Sequence, residues 1–84
     1  MKIQILGTGC AKCKALTKNV QQAMRELGLD AEIVKVMEIR EIMQFKVLMT
    51  PGLVIEGQVK AAGRVVSPDE IKKLLVEAGG KQDV

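Results

Sequence analysis

Apolar and polar residues follow two spacings along the chain, and each spacing indicates a different element. Short alternating or continuously apolar runs at residues 2–6, 32–36, 53–55 and 59–62 are typical of β-strands. After the first run, apolar residues recur at intervals of three and four, which predicts an amphipathic helix. The apolar stripe of this helix consists of Cys13, Leu16, Val20, Met24 and Leu27.

Glycine and proline indicate where the first two helices end. Gly28 is expected to terminate the first helix as a left-handed C-cap, with Leu29 packing back on the last turn. The spacing of the apolar residues that follow the second strand predicts a short helix over residues 38–46. Pro51 prevents any continuation, because proline disfavours a helical conformation at the residue before it.

The last helix has a strong start signal. Ser67 is an N-cap residue, Pro68 suits the first helical position, and Glu70 completes a capping box. The glycines at positions 79–80 are expected to end this helix and to leave residues 81–84 as a polar tail. Its buried stripe is predicted to comprise Ile71, Leu74, Leu75 and Ala78.

The order of these elements, β-α-β-α-β-β-α, predicts an α/β fold. A strand–helix–strand unit crosses over with a right hand, so the first two strands should be parallel. The turn at residues 56–58 should join the last two strands as an antiparallel hairpin. We therefore expect one domain over residues 1–80, with a four-stranded mixed sheet and helices on both faces.

The core of this domain should be aliphatic, because Phe45 is the only aromatic residue in the chain. Met24, Met37 and Met43 are expected to fill gaps in that core, since the thioether side chain is flexible and apolar.

The net charge of +3 is concentrated near the cysteines. Residues 1–30 contain five basic and two acidic residues, whereas residues 31–84 contain eight of each. There is no long basic run and almost no aromatic surface, so the charge does not indicate nucleic-acid binding. No apolar run approaches the ~20 residues that span a bilayer, and residues 1–6 are too short for a signal-peptide core. We therefore expect a cytoplasmic protein without a membrane or nucleic-acid partner.

Two cysteines, Cys10 and Cys13, stand in a chain without histidine. A structural disulfide framework is expected in secreted proteins and normally uses more cysteines. A closed zinc site needs four ligands, so no metal site is predicted within this chain alone. Redox chemistry, a metal site shared with another chain, and a chance pairing of two buried residues remain open.

The position of Cys10 at the start of the first helix favours redox chemistry. Unpaired backbone N–H groups and the positive end of the helix dipole stabilise a thiolate, which is the nucleophile in disulfide exchange. Lys12 and Lys14 add positive charge, so the pKa of Cys10 should lie below the usual value of about 8.5. Cys13 lies one turn further on, in the apolar stripe, and should be buried. We therefore expect Cys10 to attack a substrate disulfide and Cys13 to resolve the mixed disulfide.

These motifs resemble the thioredoxin/glutaredoxin superfamily, in particular its small archaeal and bacterial redox-active disulfide proteins. The resemblance rests on the CxxC motif of residues 10–13, on Thr50-Pro51 before the third strand, and on Gly63 after the fourth. It implies a thioredoxin-like fold with a cis peptide bond at Thr50–Pro51, facing the cysteines. The substrate-binding surface would then comprise Met49, Thr50, Pro51 and Gly63.

The same resemblance implies the activity and the partners. The chain should be a monomeric thiol–disulfide oxidoreductase that acts on disulfide-containing proteins. An upstream thiol reductase would supply its electrons, and no cofactor would be needed besides the Cys10–Cys13 disulfide itself.

The chain also departs from this superfamily in three places. It lacks the active-site tryptophan of familiar thioredoxins. Its first strand carries no acidic residue, which leaves water or Lys12 to accept the proton of Cys13. Residues 62–64 lack the Gly-Gly-x-Asp of glutaredoxins, so a full glutathione site is not expected. Lys12 and Arg64 are the candidate contacts for a glutathione carboxylate.

Two other functions are compatible with a single CxxC motif. A soft-metal chaperone domain carries the motif between its first strand and first helix, because two thiolates suit Cu(I). Such domains end on a strand, whereas this chain ends on a capped helix and contains Thr50-Pro51. The other alternative is a thioredoxin-fold adaptor whose cysteines no longer exchange disulfides. Counting thiols before and after mild reduction would identify such an adaptor.

Overall fold

The computed structural model describes residues 1–79, and within them four strands and three helices follow one another in the predicted order. The strands are β1 (Lys2–Leu6), β2 (Glu32–Val36), β3 (Gly52–Ile55) and β4 (Gln58–Ala62). The helices are α1 (Ala11–Leu27), α2 (Ile39–Gln44) and α3 (Pro68–Glu77). The expected polar tail at residues 81–84 lies outside the described residues.

The strands form one mixed sheet in the order β2-β1-β3-β4. The β1 and β2 strands pair in parallel, whereas β3 is antiparallel to both β1 and β4. Glu56 and Gly57 connect β3 to β4, and both have the positive φ of a tight hairpin turn. The predicted parallel pair and the predicted hairpin are thus both present.

Helices cover both faces of the sheet, but the two faces bury very different amounts of apolar surface. The face under α1 and α3 carries the larger core, and the face under α2 carries a smaller one. The larger core consists of Ile3, Ile5, Leu16, Val20, Ala23, Leu53, Ile55, Ala61, Val66, Ile71 and Leu75. The smaller core consists of Leu6, Val36, Ile42, Val47 and Val54.

The caps of α1 and α3 agree with the sequence. Gly28 adopts the left-handed conformation at the end of α1, and the N–H of Leu29 donates to the carbonyl of Met24. At the start of α3, the Ser67 hydroxyl accepts a hydrogen bond from the N–H of Glu70. These local signals fix the end of α1 and the start of α3.

The second helix is shorter than the predicted range of 38–46. It begins at Ile39 and ends at Gln44, because Phe45 leaves the helical conformation and Lys46 has a positive φ of 59°. A lysine in the left-handed region cannot continue a right-handed helix. The helix buries one residue, Ile42.

The expectation that the methionines fill the core is wrong for two of the three residues. Met37 and Met43 are 52% and 64% exposed, whereas Met24 is half-buried and packs against the larger core. Met37 follows the last residue of β2 and therefore leaves the sheet, and Met43 lies on a helix too short to bury a second residue. No helix within residues 1–79 is long and apolar enough to cross a membrane.

Candidate functional site

The cysteines lie at the junction between β1 and α1. The N–H of Gly7 donates to the carbonyl of Val36 at 3.0 Å, which holds the end of β1 beside the end of β2. Residues 8–9 then turn the chain outward, and Gly9 has a positive φ of 89°. Cys10 is the N-cap of α1, and its carbonyl accepts the first helical hydrogen bond from the N–H of Lys14. The side chain of Cys10 makes no capping bond, and the residue is exposed.

The two thiols are close together and differ in exposure. The Sγ atoms of Cys10 and Cys13 lie 3.0 Å apart, and both cysteines are free thiols. Cys10 is exposed, whereas Cys13 is 5% exposed and continues the buried stripe of α1. Thr17, which is also buried, donates its hydroxyl to the Cys13 carbonyl at 3.0 Å.

The environment moves the pKa values of the two thiols in opposite directions. The pKa of Cys10 is lowered, first by a hydrogen bond from the Cys13 thiol and then by backbone N–H groups. The pKa of Cys13 is raised, first by burial and then by its hydrogen bond to Cys10. Near neutral pH the proton therefore stays on Cys13, while Cys10 is the sulfur that more readily becomes a thiolate.

Gly7 allows the buried sulfur to take this position. A Cβ atom built at Gly7 would overlap the Sγ atom of Cys13, so only glycine leaves room for the thiol there. The sequence showed a glycine that ends a strand, and it gave no sign of a contact with Cys13. The only available signal was the position of a glycine directly after β1, six residues before the second cysteine.

The Thr50–Pro51 peptide bond is cis, as the resemblance implied. Thr50 lies near the same glycine, because its Cβ is 3.9 Å from the Cβ position built at Gly7. The carbonyl of Pro51 accepts a hydrogen bond from the N–H of Gly63 at 2.8 Å. The structure thus brings the proline loop and the end of β4 to the cysteine side of the sheet.

Met49 and Gly63 pack against each other at this edge. Gly63 has a φ of 80°, and a Cβ built there would lie 3.0 Å from the Cβ of Met49. Met49 is nevertheless 65% exposed, so most of its side chain is available to another molecule. Met49, Thr50, Pro51 and Gly63 therefore lie together at this edge, but the side chain of Pro51 is buried, which leaves Met49 and Thr50 as its exposed members.

The two basic residues considered for glutathione are placed differently. Lys12 is exposed on the first turn of α1, and its backbone N–H is among the groups that lower the pKa of Cys10. The guanidinium of Arg64 forms two hydrogen bonds with the carboxylate of Glu70 on α3. Arg64 is therefore engaged with α3.

The structure offers the cysteines few partners for a metal ion. Over residues 1–79, no group of three or more histidine, cysteine, aspartate or glutamate side chains is arranged to hold one. Among these four residue types, the described residues accordingly provide the two thiols and no third ligand beside them.

Comparison with known proteins gives a consistent result. A family model described as "Thioredoxin domain" matches residues 1–76. A protein named thioredoxin from Methanothermobacter thermautotrophicus is 51% identical over 75 residues, which cover 89% of this chain and 97% of that relative. A second protein named thioredoxin, from Methanocaldococcus jannaschii, is 45% identical over 73 residues, which cover 87% of this chain and 84% of that relative.

Proposed function

Because the chain belongs to the thioredoxin family and is a thiol–disulfide oxidoreductase with a thioredoxin-like fold, we propose that Cys10 and Cys13 exchange disulfides with partner proteins in two steps. The observation that carries this proposal is the asymmetry of the pair. An exposed sulfur with a lowered pKa lies 3.0 Å from a buried sulfur with a raised pKa.

The two steps balance as follows. The Cys10 thiolate attacks one sulfur of the partner's disulfide, and the other partner sulfur leaves as a thiolate. Cys13 then loses its proton and attacks the Cys10 sulfur, which releases the second partner sulfur. Two electrons and two protons pass to the partner, and the Cys10–Cys13 disulfide forms. The Cys10–Cys13 dithiol itself supplies the two electrons, so the proposed reaction involves no separate cofactor.

The partner's cysteine segment is proposed to bind along the edge formed by Met49, Thr50, Pro51 and Gly63. Thr50 is exposed beside the Cys10–Cys13 end of the sheet, and Met49 offers an apolar side chain for contact. Binding at this edge would place a partner's disulfide next to Cys10.

The remaining features of the proposed function concern the cell. We propose that a monomer works in the cytoplasm and that an upstream thiol reductase returns the Cys10–Cys13 disulfide to the dithiol. Equilibrium sedimentation tests the oligomeric state, and it should give the 9.1 kDa mass of a single chain.

Trapping variants test the two-step exchange. With insulin as the disulfide substrate and dithiothreitol as the electron source, Cys10→Ser should abolish reduction. Cys13→Ser that is first reduced and then freed of dithiothreitol should instead accumulate a disulfide between Cys10 and insulin, which intact-mass spectrometry detects. Ala15→Ser is the matched control, because Ala15 is an exposed residue of α1 outside the CxxC motif. This variant should reduce insulin like the parent protein. Full turnover by Cys13→Ser would contradict the resolving role of Cys13.

A further inference from the structure

A cavity of about 270 Å³ lies beside Cys13, between the first half of α1 and the end of β2. Its apolar lining includes Ile5 on β1 and Met37, which follows β2, together with Cys13 itself. Ile5 and Cys13 are 2% and 5% exposed, so the cavity reaches the buried side of the cysteine pair. Cys10 does not line it. The cavity is therefore next to the resolving cysteine and separate from the face where Cys10 meets a partner.

The open side of the cavity is basic. Lys14 on α1 and Lys35 on β2 both line it, and both are exposed. No acidic side chain among residues 1–79 lines the cavity. Neither lysine forms an ion pair with another residue in that part of the chain. Two cationic side chains without a neutralising partner at one opening attract anions.

We propose that this cavity binds a small organic anion, whose charged group lies between Lys14 and Lys35 and whose apolar part contacts Ile5 and Met37. The charged group is a carboxylate or a phosphate monoester, since both pair with ammonium groups. The volume lies at or just below the lower end of the roughly 300–1,000 Å³ typical of small-molecule sites. It suits a short-chain acid and is too small for a dinucleotide.

Binding here has a consequence for exchange, and this consequence rests on the proposed function. An occupant would touch Cys13, and its negative charge would oppose formation of the Cys13 thiolate. The first attack by Cys10 would be affected less, because Cys10 does not line the cavity and solvent screens its exposed sulfur from the charge. The ligand therefore slows the resolving step and prolongs the mixed disulfide.

Binding is tested on the full-length reduced protein by titration in two-dimensional 15N–1H NMR at constant ionic strength. The probes are hexanoate, hexyl phosphate and hexylammonium, which share a six-carbon chain and differ in the charged group. Hexanoate or hexyl phosphate should shift the amides of residues 7–9, Thr17 and Lys35 in a saturable way. Whichever of the two compounds binds with the higher affinity identifies the preferred anionic group. Hexylammonium should leave these amides unchanged.

Charge-neutral variants then test the role of the lysines. Lys14→Gln and Lys35→Gln should each weaken hexanoate binding by about threefold, and together by about tenfold. Lys73→Gln removes the same charge from an exposed position on α3 and should bind hexanoate like the parent. Equal shifts with hexylammonium, or unchanged affinity in the double variant, would overturn the proposal.

The resolving step is measured separately, with the neutral reagent 2,2′-dithiodipyridine in a stopped-flow instrument. The parent protein should release one pyridine thione on attack by Cys10 and a second when Cys13 resolves the mixed disulfide. Saturating hexanoate should slow the second release more than the first. Absence of a second release without ligand would contradict the proposed exchange mechanism. If the second release is normal without ligand and saturating hexanoate does not slow it, the inferred effect of the bound anion on the resolving step is wrong.

Discussion

The two sides of the sheet differ in what they bury, and the two cysteines differ in the same way. On one side α1 and α3 enclose the larger core, and Cys13 extends the buried stripe of α1 toward the active-site end. On the other side the segment over residues 39–49 leaves most of its large apolar side chains exposed, while α2 buries only Ile42. The exposed residues are Ile39, Met43, Leu48 and Met49.

This difference predicts that stability and partner binding depend on different sides of one small domain. The side that supplies most of the buried area fixes the position of Cys13 through the rigid helix α1. The side with the exposed apolar residues lies next to Thr8 and Thr50, beside the loop that presents Cys10. Exposed apolar surface of this kind is typical of places where another protein binds. A substitution should therefore affect either unfolding or partner exchange, depending on the side it changes.

The largest expected effect is on stability, in the core under α1 and α3. Leu75→Ala removes a side chain that is 0% exposed and should lower the free energy of unfolding by about 2–5 kcal/mol. Met43→Ala shortens a side chain that is 64% exposed and should change it by no more than about 0.5 kcal/mol. Urea unfolding of both reduced variants measures this contrast. Equal losses would contradict the difference between the two sides.

A smaller stability loss, with a specific loss of chemistry, is expected at Gly7. Gly7→Ala forces the Cys13 sulfur away from its position and should cost about 1–3 kcal/mol of stability, as overpacking does. Resolution of the mixed disulfide should slow in the stopped-flow assay. Gly57→Ala is the control, because alanine is strained at its φ of 80° but a Cβ there meets no atom within 4 Å, so this variant should lose stability without slowing resolution. Resolution at the parent rate in Gly7→Ala would show that the contact does not position Cys13.

The reduced protein should show a pH dependence of stability with two opposing parts. Because the folded pKa of Cys10 is lowered, its thiolate stabilises the fold fully above the unfolded thiol pKa of about 8.5. That contribution is lost as the pH falls through the lower folded value. The pKa of Cys13 is raised, so its contribution is present below the unfolded pKa and is lost as the pH rises through the folded value.

Urea unfolding of the reduced protein across this range, compared with Cys10→Ser and Cys13→Ser, separates the two parts. The free energy of unfolding should rise with pH up to the unfolded thiol pKa, and Cys10→Ser should remove this rise. It should fall again at higher pH, and Cys13→Ser should remove this fall. Identical pH profiles for all three proteins would show that neither thiol is shifted.

The smallest expected effect comes from Lys12. Its ammonium is exposed, so Lys12→Ala should raise the pKa of Cys10 by only a fraction of a unit and make the disulfide slightly more reducing. In Lys12→Ala the hydrogen bond from Cys13 and the backbone N–H groups should still lower the pKa of Cys10. Thiolate absorbance titrated at low salt measures the change, with Lys18→Ala as the control. Coincident curves for Lys12→Ala and the parent would show that the Lys12 charge does not contribute to the lowered pKa of Cys10.

The sequence was sufficient for the elements that have strong local signals. Gly28 and the cap at Ser67 define helix ends through backbone conformation and side-chain hydrogen bonding, which depend on neighbouring residues alone. The CxxC position after β1 likewise places Cys10 at a helix start. The order of elements and the mixed sheet followed from these features together with the handedness of the crossover.

Features that depend on contacts between distant residues were not predictable in the same way. The end of α2 depends on Lys46 adopting a positive φ, which its residue type does not suggest. The exposure of Met37 and Met43 follows from how little of this segment reaches the sheet. The contact of Gly7 with Cys13, and the cavity with Lys14 and Lys35, exist only after the chain has folded.

The proposed exchange depends on unequal acidity of the two sulfurs, which a site-resolved titration measures. Protein labelled with 13C at the cysteine Cβ atoms reports which sulfur loses its proton first, even though the two titrations are coupled. In the reduced protein the pKa from the Cys10 signal should lie below that of an ordinary thiol, and the pKa from the Cys13 signal above it. Loss of the Cys13 proton before that of Cys10, or an ordinary thiol pKa for both, would show that the pair is not asymmetric.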